Sequence, residues 1–183
     1  MADPYWNHNG QLWPMGTPTS LSWLDIGAVL RFLQDFSLCA VIEIGIHRGG
    51  LACVLAGRVE AMDGFHYFGM ELDPTIVEEP IRNWALRQPR VQLWYADAFS
   101  EQGINWVKRI LAEAPAPLLF ICDGGNKAEE YRTYAPLIRP GDIMIVHDYT
   151  VEFTDAHIAK YRNQLTRIKM DWLNDTHWCA FRR

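Results

Sequence analysis

Short apolar runs alternate along the chain with segments in which apolar residues recur at helical spacing. In the first such segment Trp23, Ile26, Leu30 and Leu33 follow Ser20 and Ser22, either of which is a suitable N-cap. The apolar runs that we predict to be strands occupy 40–44, 66–74, 91–97, 117–123 and 142–148. The later helices are predicted over 50–60, 75–87, 103–113, 127–138 and near 155–164.

Apolar strands that alternate with helices predict a parallel sheet with helices on both faces. The tail adds RIKMDWL and HWCAFRR, which we predict to pair as an antiparallel hairpin. The fold class is therefore α/β: a Rossmann-like, doubly wound, mostly parallel seven-stranded sheet with an antiparallel C-terminal β-hairpin. Residues 1–19, rich in Pro, Gly, Asn and Trp, are predicted to form an irregular N-terminal arm, and residues 20–183 one catalytic domain.

Composition narrows the class of protein further. The 183 residues are 49% hydrophobic and 21% charged, as in an ordinary globular domain. A net charge of −5 without a basic run argues against nucleic acid as a partner. There is no CxxC pair, no signal-peptide pattern and no apolar run approaching the roughly 20 residues of a membrane span. We therefore expect buried free thiols, no membrane partner and a cytoplasmic location.

Charged residues stand at the carboxyl end of every predicted parallel strand. Ligands of open α/β sheets bind outside these ends, so the side chains should meet at one edge of the sheet. Strand by strand they are Glu43, Glu71, Asp97, then Asp123 with Lys127, and finally His147 with Asp148.

The glycine turn after the first strand indicates the kind of ligand. It reads E-I-G-I-H-R-G-G, with His47 where a dinucleotide-binding turn has its second glycine. A phosphate-binding G-K-S or G-K-T is also absent from this turn. Glu71 lies where an acid would accept hydrogen bonds from ribose hydroxyls, and Asp97 where one would accept from an adenine amino group. The pattern favours a nucleoside without phosphates.

These motifs, together with CDGGNK at 122–127 and IRPGDIMIVHDY at 138–149, resemble the class I S-adenosylmethionine-dependent methyltransferases. The similarity is greatest to the small-molecule O-methyltransferase-like branch, which includes catechol-type enzymes, antibiotic-sugar methyltransferases and the cephalosporin hydroxylase-like group. The resemblance implies S-adenosylmethionine as cofactor and methyl transfer to an oxygen of a small molecule or sugar. The cofactor contacts that it implies are Glu43, Gly45, His47, Gly49, Glu71, Asp97 and Asp123.

The resemblance also implies a catalytic group of Lys127, His147 and Asp148. In metal-dependent members an acid after strand four and another after strand five bind a divalent ion, and Asp123 and Asp148 occupy those places. Mg or Mn is the expected ion, with His147 favouring a softer one and Asn126 a further oxygen donor. Without a metal, Lys127 or His147 would act as the general base, and Lys127 would need a lowered pKa to do so.

Several alternatives stay open on the sequence alone. The glycines fit a tight turn, the acids fit helix caps, and His147 fits a core histidine. The same scaffold could carry a metal-dependent lyase or oxygenase reaction, or serve as a non-catalytic interaction subunit. A homodimer is a further expectation that no particular residue supports.

Overall fold

The computed structural model describes residues 17–161 and 165–183. Most of the predicted arm and the end of the helix predicted near 155–164 therefore lie outside the described residues. The last residues of the arm, Thr17, Pro18 and Thr19, are buried. Within the described ranges, no helix combines the length and the apolar character that crossing a membrane would require.

Helices and strands alternate as the hydrophobic pattern predicts. The strands of the described residues are Ala40–Ile44 (β1), His66–Glu71 (β2), Val91–Tyr95 (β3), Leu118–Cys122 (β4), Ile143–Val146 (β5), Thr166–Ile168 (β6) and Cys179–Arg182 (β7). The α-helices there are Trp23–Asp35 (α1), Gly50–Ala61 (α2), Glu79–Arg87 (α3), Glu101–Glu113 (α4), Lys127–Tyr134 (α5) and Asp155–Lys160 (α6).

The strands form one seven-stranded sheet in the order β3-β2-β1-β4-β5-β7-β6. Pairs among β1 to β5 are parallel, and β7 is antiparallel to both β5 and β6. The predicted fold class is thereby confirmed. The strand order reverses between β1 and β4, and a crevice at the carboxyl ends of these two strands is where such sheets bind ligands.

Two hydrophobic cores cover the two faces of the sheet. On one face Val41 of β1 packs with residues of α1, α2 and α3, including Leu51 and Ile81. On the other, Ile42 packs with Trp106 of α4 and with residues of α5. Because neighbouring residues of a strand point to opposite faces, a strand covered on both sides must be apolar throughout.

Two helices differ from the prediction by more than two residues at one end. Helix α3 begins at Glu79 rather than at 75, because Asp73 accepts a hydrogen bond from the backbone N of Thr75 at 2.8 Å and holds a turn there. Helix α5 ends at Tyr134 and continues as a 3₁₀ turn at Ala135–Leu137. Pro136 has no N–H for a helical hydrogen bond, so the regular helix stops before it.

The turn into β5 carries a buried ion pair. Gly141 has a φ of 91°, as a type II turn requires, and the backbone N of Asp142 donates to the Arg139 carbonyl at 3.1 Å. The Asp142 side chain is fully buried. Its carboxylate accepts from Arg139 Nε at 2.7 Å and from the backbone N of Leu118 at 2.9 Å. These contacts tie the start of β4 to the start of β5.

Replacing Asp142 with alanine should destabilise the fold. The substitution leaves the buried Leu118 N–H without its acceptor, whereas the Arg139 guanidinium keeps the carbonyl oxygens of Leu111 and Ala114. We expect a cost of about 1–3 kcal/mol, as for one buried donor left unsatisfied. Urea unfolding of D142A measures the loss, with Asp63→Ala at an exposed turn as the matched control. Equal free energies of unfolding for the two variants would contradict this role of the ion pair.

Candidate active site

A cavity of about 400 Å³ lies at the carboxyl edge of the sheet, at the reversal of strand order. Residues Pro18 to Leu21, where the arm joins the domain, form part of its wall. The cavity brings together most of the predicted site residues, namely Glu43, Gly45, His47, Glu71, Asp123, Lys127, His147 and Asp148.

Gly45 stands where β1 and β4 come closest beyond their ends. Its φ is 88°, and a Cβ at this position would lie 2.5 Å from the Asp123 carbonyl oxygen. Both the backbone conformation and the close approach exclude a larger side chain. The glycine therefore lets the crevice between the two strands form.

Glu71 fixes the glycine turn after β1. Its Oε2 accepts a hydrogen bond from the backbone N of His47 at 2.7 Å, and its Oε1 accepts from the backbone N of Leu72 at 2.8 Å. His47 itself has a φ of 51°, in the left-handed region. The carboxylate is thus held at the cavity wall by backbone groups, and its contact with a ribose stays a prediction.

Glu43 is a buried acid on β1. It accepts a hydrogen bond from the hydroxyl of Tyr67, and burial raises the pKa of its carboxyl to about 8, with Asp123 and Glu71 as negative neighbours. The Tyr67 hydrogen bond lowers this pKa but does not outweigh burial. Glu43 is therefore neutral at pH 7 in this structure.

Lys127 is enclosed by carboxylates. Its Nζ lies 2.8 Å from Asp148 Oδ2, 3.1 Å from Glu152 Oε2 and 3.9 Å from Asp123 Oδ1. Burial lowers the pKa of the ammonium, but the hydrogen bond that it donates to Asp148 and the charge of Asp123 outweigh burial, and the pKa is raised. A general base near neutral pH needs the opposite shift, so in this arrangement Lys127 acts as a fixed positive charge.

His147 lies between two carboxylates. Its Nδ1 is 3.1 Å from Asp123 Oδ1, and its Nε2 is 3.7 Å from Asp25 Oδ2. Burial lowers the pKa of the imidazole, but the contacts with Asp123 and Asp25 raise it to about 9. Like Lys127, His147 is protonated at neutral pH here and is not a free base.

A tight turn after β5 assembles this group. Asp148 has a φ of 53°, and its carbonyl accepts from the backbone N of Val151, Glu152 and Phe153 at 2.9–3.1 Å. The turn returns the chain so that Glu152 reaches Lys127. Left-handed backbone at a non-glycine residue is uncommon and clusters at functional sites.

Two predicted site residues do not line the cavity. Gly49 has a φ of 94° as the N-cap of α2, and a Cβ there would lie 2.8 Å from Ile81 Cγ1. Asp97 is exposed, and its Oδ1 accepts from the backbone N of Phe99 at 2.8 Å. Their contacts with a cofactor stay predictions.

Three acids at the site escaped the sequence analysis: Asp25, Glu130 and Glu152. Asp25 lies within α1 and Glu152 in a loop, so no strand-end position marks them. Glu130 is buried in α5, where it accepts from the backbone N of Gly124 and Asn126 at 3.3 and 3.4 Å. Burial raises the pKa of its carboxyl to about 7. Its position five residues after Gly125, at the start of α5, is the one signal in the sequence that would have drawn attention to Glu130.

The predicted metal ligands form a compact donor set. One ligand atom each from Asp123, His147 and Asp148 lies within 4.8 Å of the other two. Two carboxylates and an imidazole suit Mn²⁺ or a softer ion better than Mg²⁺. Asn126 is engaged elsewhere, because its Oδ1 accepts from the backbone N of Glu129 at 3.1 Å as the N-cap of α5.

Comparison with known proteins supports the fold assignment. No model of a protein family matches the chain, and no curated protein sequence matches it. Solved structures do match, at low sequence identity. A structure of CmcI named with Mg and SAM is 16% identical, with 92% of this chain and 75% of that chain covered and a TM-score of 0.70. A second CmcI structure, named with SAH, is 20% identical, with coverage of 92% and 79% and a TM-score of 0.63.

A third match is the SAH-bound methyltransferase PaMTH1 from Podospora anserina, 13% identical, with 88% and 78% of the two chains covered and a TM-score of 0.60. The chain thus has the fold of the class I S-adenosylmethionine-dependent methyltransferases. The predicted resemblance to these methyltransferases is confirmed at the level of the fold.

The buried acid Glu43 should make the stability of the fold depend on pH. Its pKa rises from 4.5 to about 8 on folding, so its contribution is complete below the lower value and is lost as the pH rises through the upper one. We expect the melting temperature to fall by several degrees between about pH 4.5 and about pH 8, and to fall less in Glu43→Gln, which stays neutral. Parallel pH profiles for the two proteins would show that Glu43 ionises normally.

Proposed function

We propose that this protein is an S-adenosylmethionine-dependent methyltransferase that transfers a methyl group to an oxygen of a small molecule or sugar. The observation that carries the proposal is the cavity at the β1–β4 reversal, where Gly45 opens the crevice and Glu71 lies fixed at the wall. The structural neighbours named with SAM or SAH support the same cofactor.

The charges of the cavity support a cationic ligand. The carboxylates of Glu71, Asp123 and Asp148 line it beside the neutral acid Glu43, and Lys127 and His147 compensate only part of their charge. S-adenosylmethionine carries a sulfonium and an ammonium group and no phosphate, so it matches this surface. A nucleotide with phosphates would be repelled.

The reaction would be a direct displacement at the methyl carbon. The acceptor oxygen forms a bond to the methyl carbon while the carbon–sulfur bond breaks, and sulfur keeps the electron pair as S-adenosylhomocysteine. The enzyme mainly holds the two reactants in line. The hydroxyl proton needs an acceptor, and Asp123 is our candidate, because burial raises the pKa of its carboxyl.

Lys127 and His147 would assist this proton transfer electrostatically. Both are protonated at neutral pH in this structure, and both lie beside Asp123, at 3.9 Å and 3.1 Å. Fixed positive charge next to the acceptor lowers the pKa of its hydroxyl and stabilises the developing oxyanion. This role replaces that of general base in our proposal, while Asp148 keeps the Lys127 ammonium in position.

A divalent ion would be held by Asp123 and Asp148, with His147 as a third ligand in its neutral form. The ion would orient the acceptor oxygen and favour the deprotonated form of its hydroxyl. Lys127 already neutralises Asp148, so an ion there has to compete with the ammonium. The acceptor itself would enter past the Gly124–Lys127 loop and the Tyr149–Asp155 loop.

Glu71 should matter for cofactor affinity. In Glu71→Ala the backbone N–H groups of His47 and Leu72 lose their acceptor and the ribose hydroxyls lose theirs, so we expect affinity for S-adenosylhomocysteine to fall by about 1–3 kcal/mol. Isothermal titration calorimetry measures the affinity for S-adenosylhomocysteine, and Glu79→Ala on the exposed face of α3 is the control. Equal affinities for wild type and E71A would remove the ribose assignment.

Asp123 should matter for turnover rather than for the fold. Asp123→Asn keeps the shape and removes the proton acceptor, so methyl transfer should drop by about 10²–10⁴-fold while S-adenosylhomocysteine still binds. Release of S-adenosylhomocysteine with a panel of catechols and hydroxylated sugars is the assay, and Asp63→Asn is the control. A non-catalytic subunit predicts no turnover with wild type and an unchanged biological output in D123N.

A further inference from the structure

A second group of metal-ligating side chains lies on the far side of His147 from the cofactor cavity. It consists of Asp25 in α1, His147 after β5 and His177 before β7. One ligand atom from each lies within 4.8 Å of the other two. The antiparallel register that pairs Val146 with Cys179 brings the two histidines to the same end of the sheet.

The distances are close to the spacing of ligands around a small cation. Asp25 Oδ2 lies 3.3 Å from His177 Nδ1 and 3.7 Å from His147 Nε2. Ligands around tetrahedral Zn²⁺, with bonds of about 2.0–2.1 Å, lie about 3.3–3.4 Å apart. Of the two distances, that to His177 matches this spacing, and that to His147 exceeds it by about 0.3–0.4 Å.

The ring nitrogen Nε2 of His147 lacks a partner. This atom is buried and has no hydrogen-bond partner among the described residues. The side chain as a whole is only 10% exposed. A buried polar atom without a partner is costly, and a metal ion would satisfy it.

The surroundings hold the ligands in place, as metal sites require. The other ring nitrogen of His147 lies 3.1 Å from Asp123 Oδ1, so it can donate its N–H to a carboxylate, the arrangement that fixes a metal-binding imidazole. Asp25 is fixed by the backbone N of His177, at 2.9 Å from its Oδ1, and by the hydroxyl of Ser22, at 2.5 Å from its Oδ2.

The group is also accessible to ions. The His177 side chain is 55% exposed and lines a cavity of about 800 Å³ that Trp178 and Tyr149 border as well. The ion would therefore enter from the side of His177. Asp25 and His147, in contrast, are buried, so the site is closed on the side of the sheet.

We propose that Asp25, His147 and His177 form a Zn²⁺ site that is distinct from the Asp123–Asp148 pair of the cofactor cavity. Two imidazoles and one carboxylate prefer Zn²⁺ over the hard ions Mg²⁺ and Ca²⁺. A neutral imidazole binds through one nitrogen only. With Zn²⁺ on Nε2, the Nδ1 proton of His147 stays on the side of Asp123, and the ion replaces the positive charge of the imidazolium. His147 then leaves the ligand set of the cofactor cavity.

The test is calorimetric titration of the chelator-treated full chain with Zn²⁺ alone. Wild type should bind Zn²⁺, and His177→Ala should weaken the binding by about tenfold or more. Removing a residue that only hydrogen-bonds to a metal ligand already costs about tenfold in affinity, and His177 would be a ligand itself. His177 is half-exposed and lies outside the proposed catalytic group, so the variant should fold. His66→Ala, a histidine elsewhere on the surface of the sheet, is the control and should bind as wild type does.

A second comparison locates the ion. Asp148→Asn removes a ligand of the cofactor-side pair only and should leave Zn²⁺ affinity unchanged. Visible absorption of Co²⁺ in wild type should show a protein-bound spectrum that His177→Ala loses. The proposal is overturned if wild type binds no Zn²⁺, if H177A binds it as tightly, or if D148N rather than H177A abolishes binding. None of these outcomes depends on methyltransferase activity.

Discussion

The site depends on the balance of charge at the carboxyl edge of the sheet. Four acids, Asp25, Asp123, Asp148 and Glu152, surround two buried cations, Lys127 and His147. Carboxylates that approach one another in a partly buried place repel unless cations lie between them. The ammonium and the imidazolium supply that compensation, and the turn at 148–153 and the capped start of α5 place them.

This balance explains why the two basic side chains are poor bases. A strand-end lysine with a lowered pKa would be free to take a proton, but three carboxylates around Lys127 raise its pKa instead. The positive charges are therefore fixed features of the cavity. They suit stabilisation of an acceptor oxyanion, whereas the remaining negative charge suits a cationic cofactor.

The fold could be predicted from the sequence because the central strands are apolar throughout and glycines in the sequence mark the turns that follow them. Predicted strands and helices appear in order. Helix α3 starts later and α5 ends earlier than predicted, and several strands are one to three residues shorter at an end. Strand β6 covers only the beginning of RIKMDWL, which continues as a 3₁₀ turn at Asp171–Leu173. The strand ends also indicated Glu43, Glu71, Asp123 and Asp148, since parallel strands bring their carboxyl ends to one edge.

The partners of these residues could not be predicted. Asp25 reaches His147 from a helix more than a hundred residues earlier in the chain, and Glu152 reaches Lys127 only because of the turn at Asp148. Such contacts depend on tertiary packing and leave no periodic signal. The sign of the pKa shift of Lys127 depends on these contacts. The grouping of His147 with Asp25 and His177 depends on tertiary packing in the same way.

The most direct test of the account is a crystal structure of the chain with S-adenosylhomocysteine. The account predicts the ligand in the crevice between β1 and β4, with its ribose at Glu71 and its sulfur facing the group around Asp123 and Lys127. A ligand in the larger cavity beside His177, or a crevice that excludes the compound at saturating concentration, would contradict the central claim.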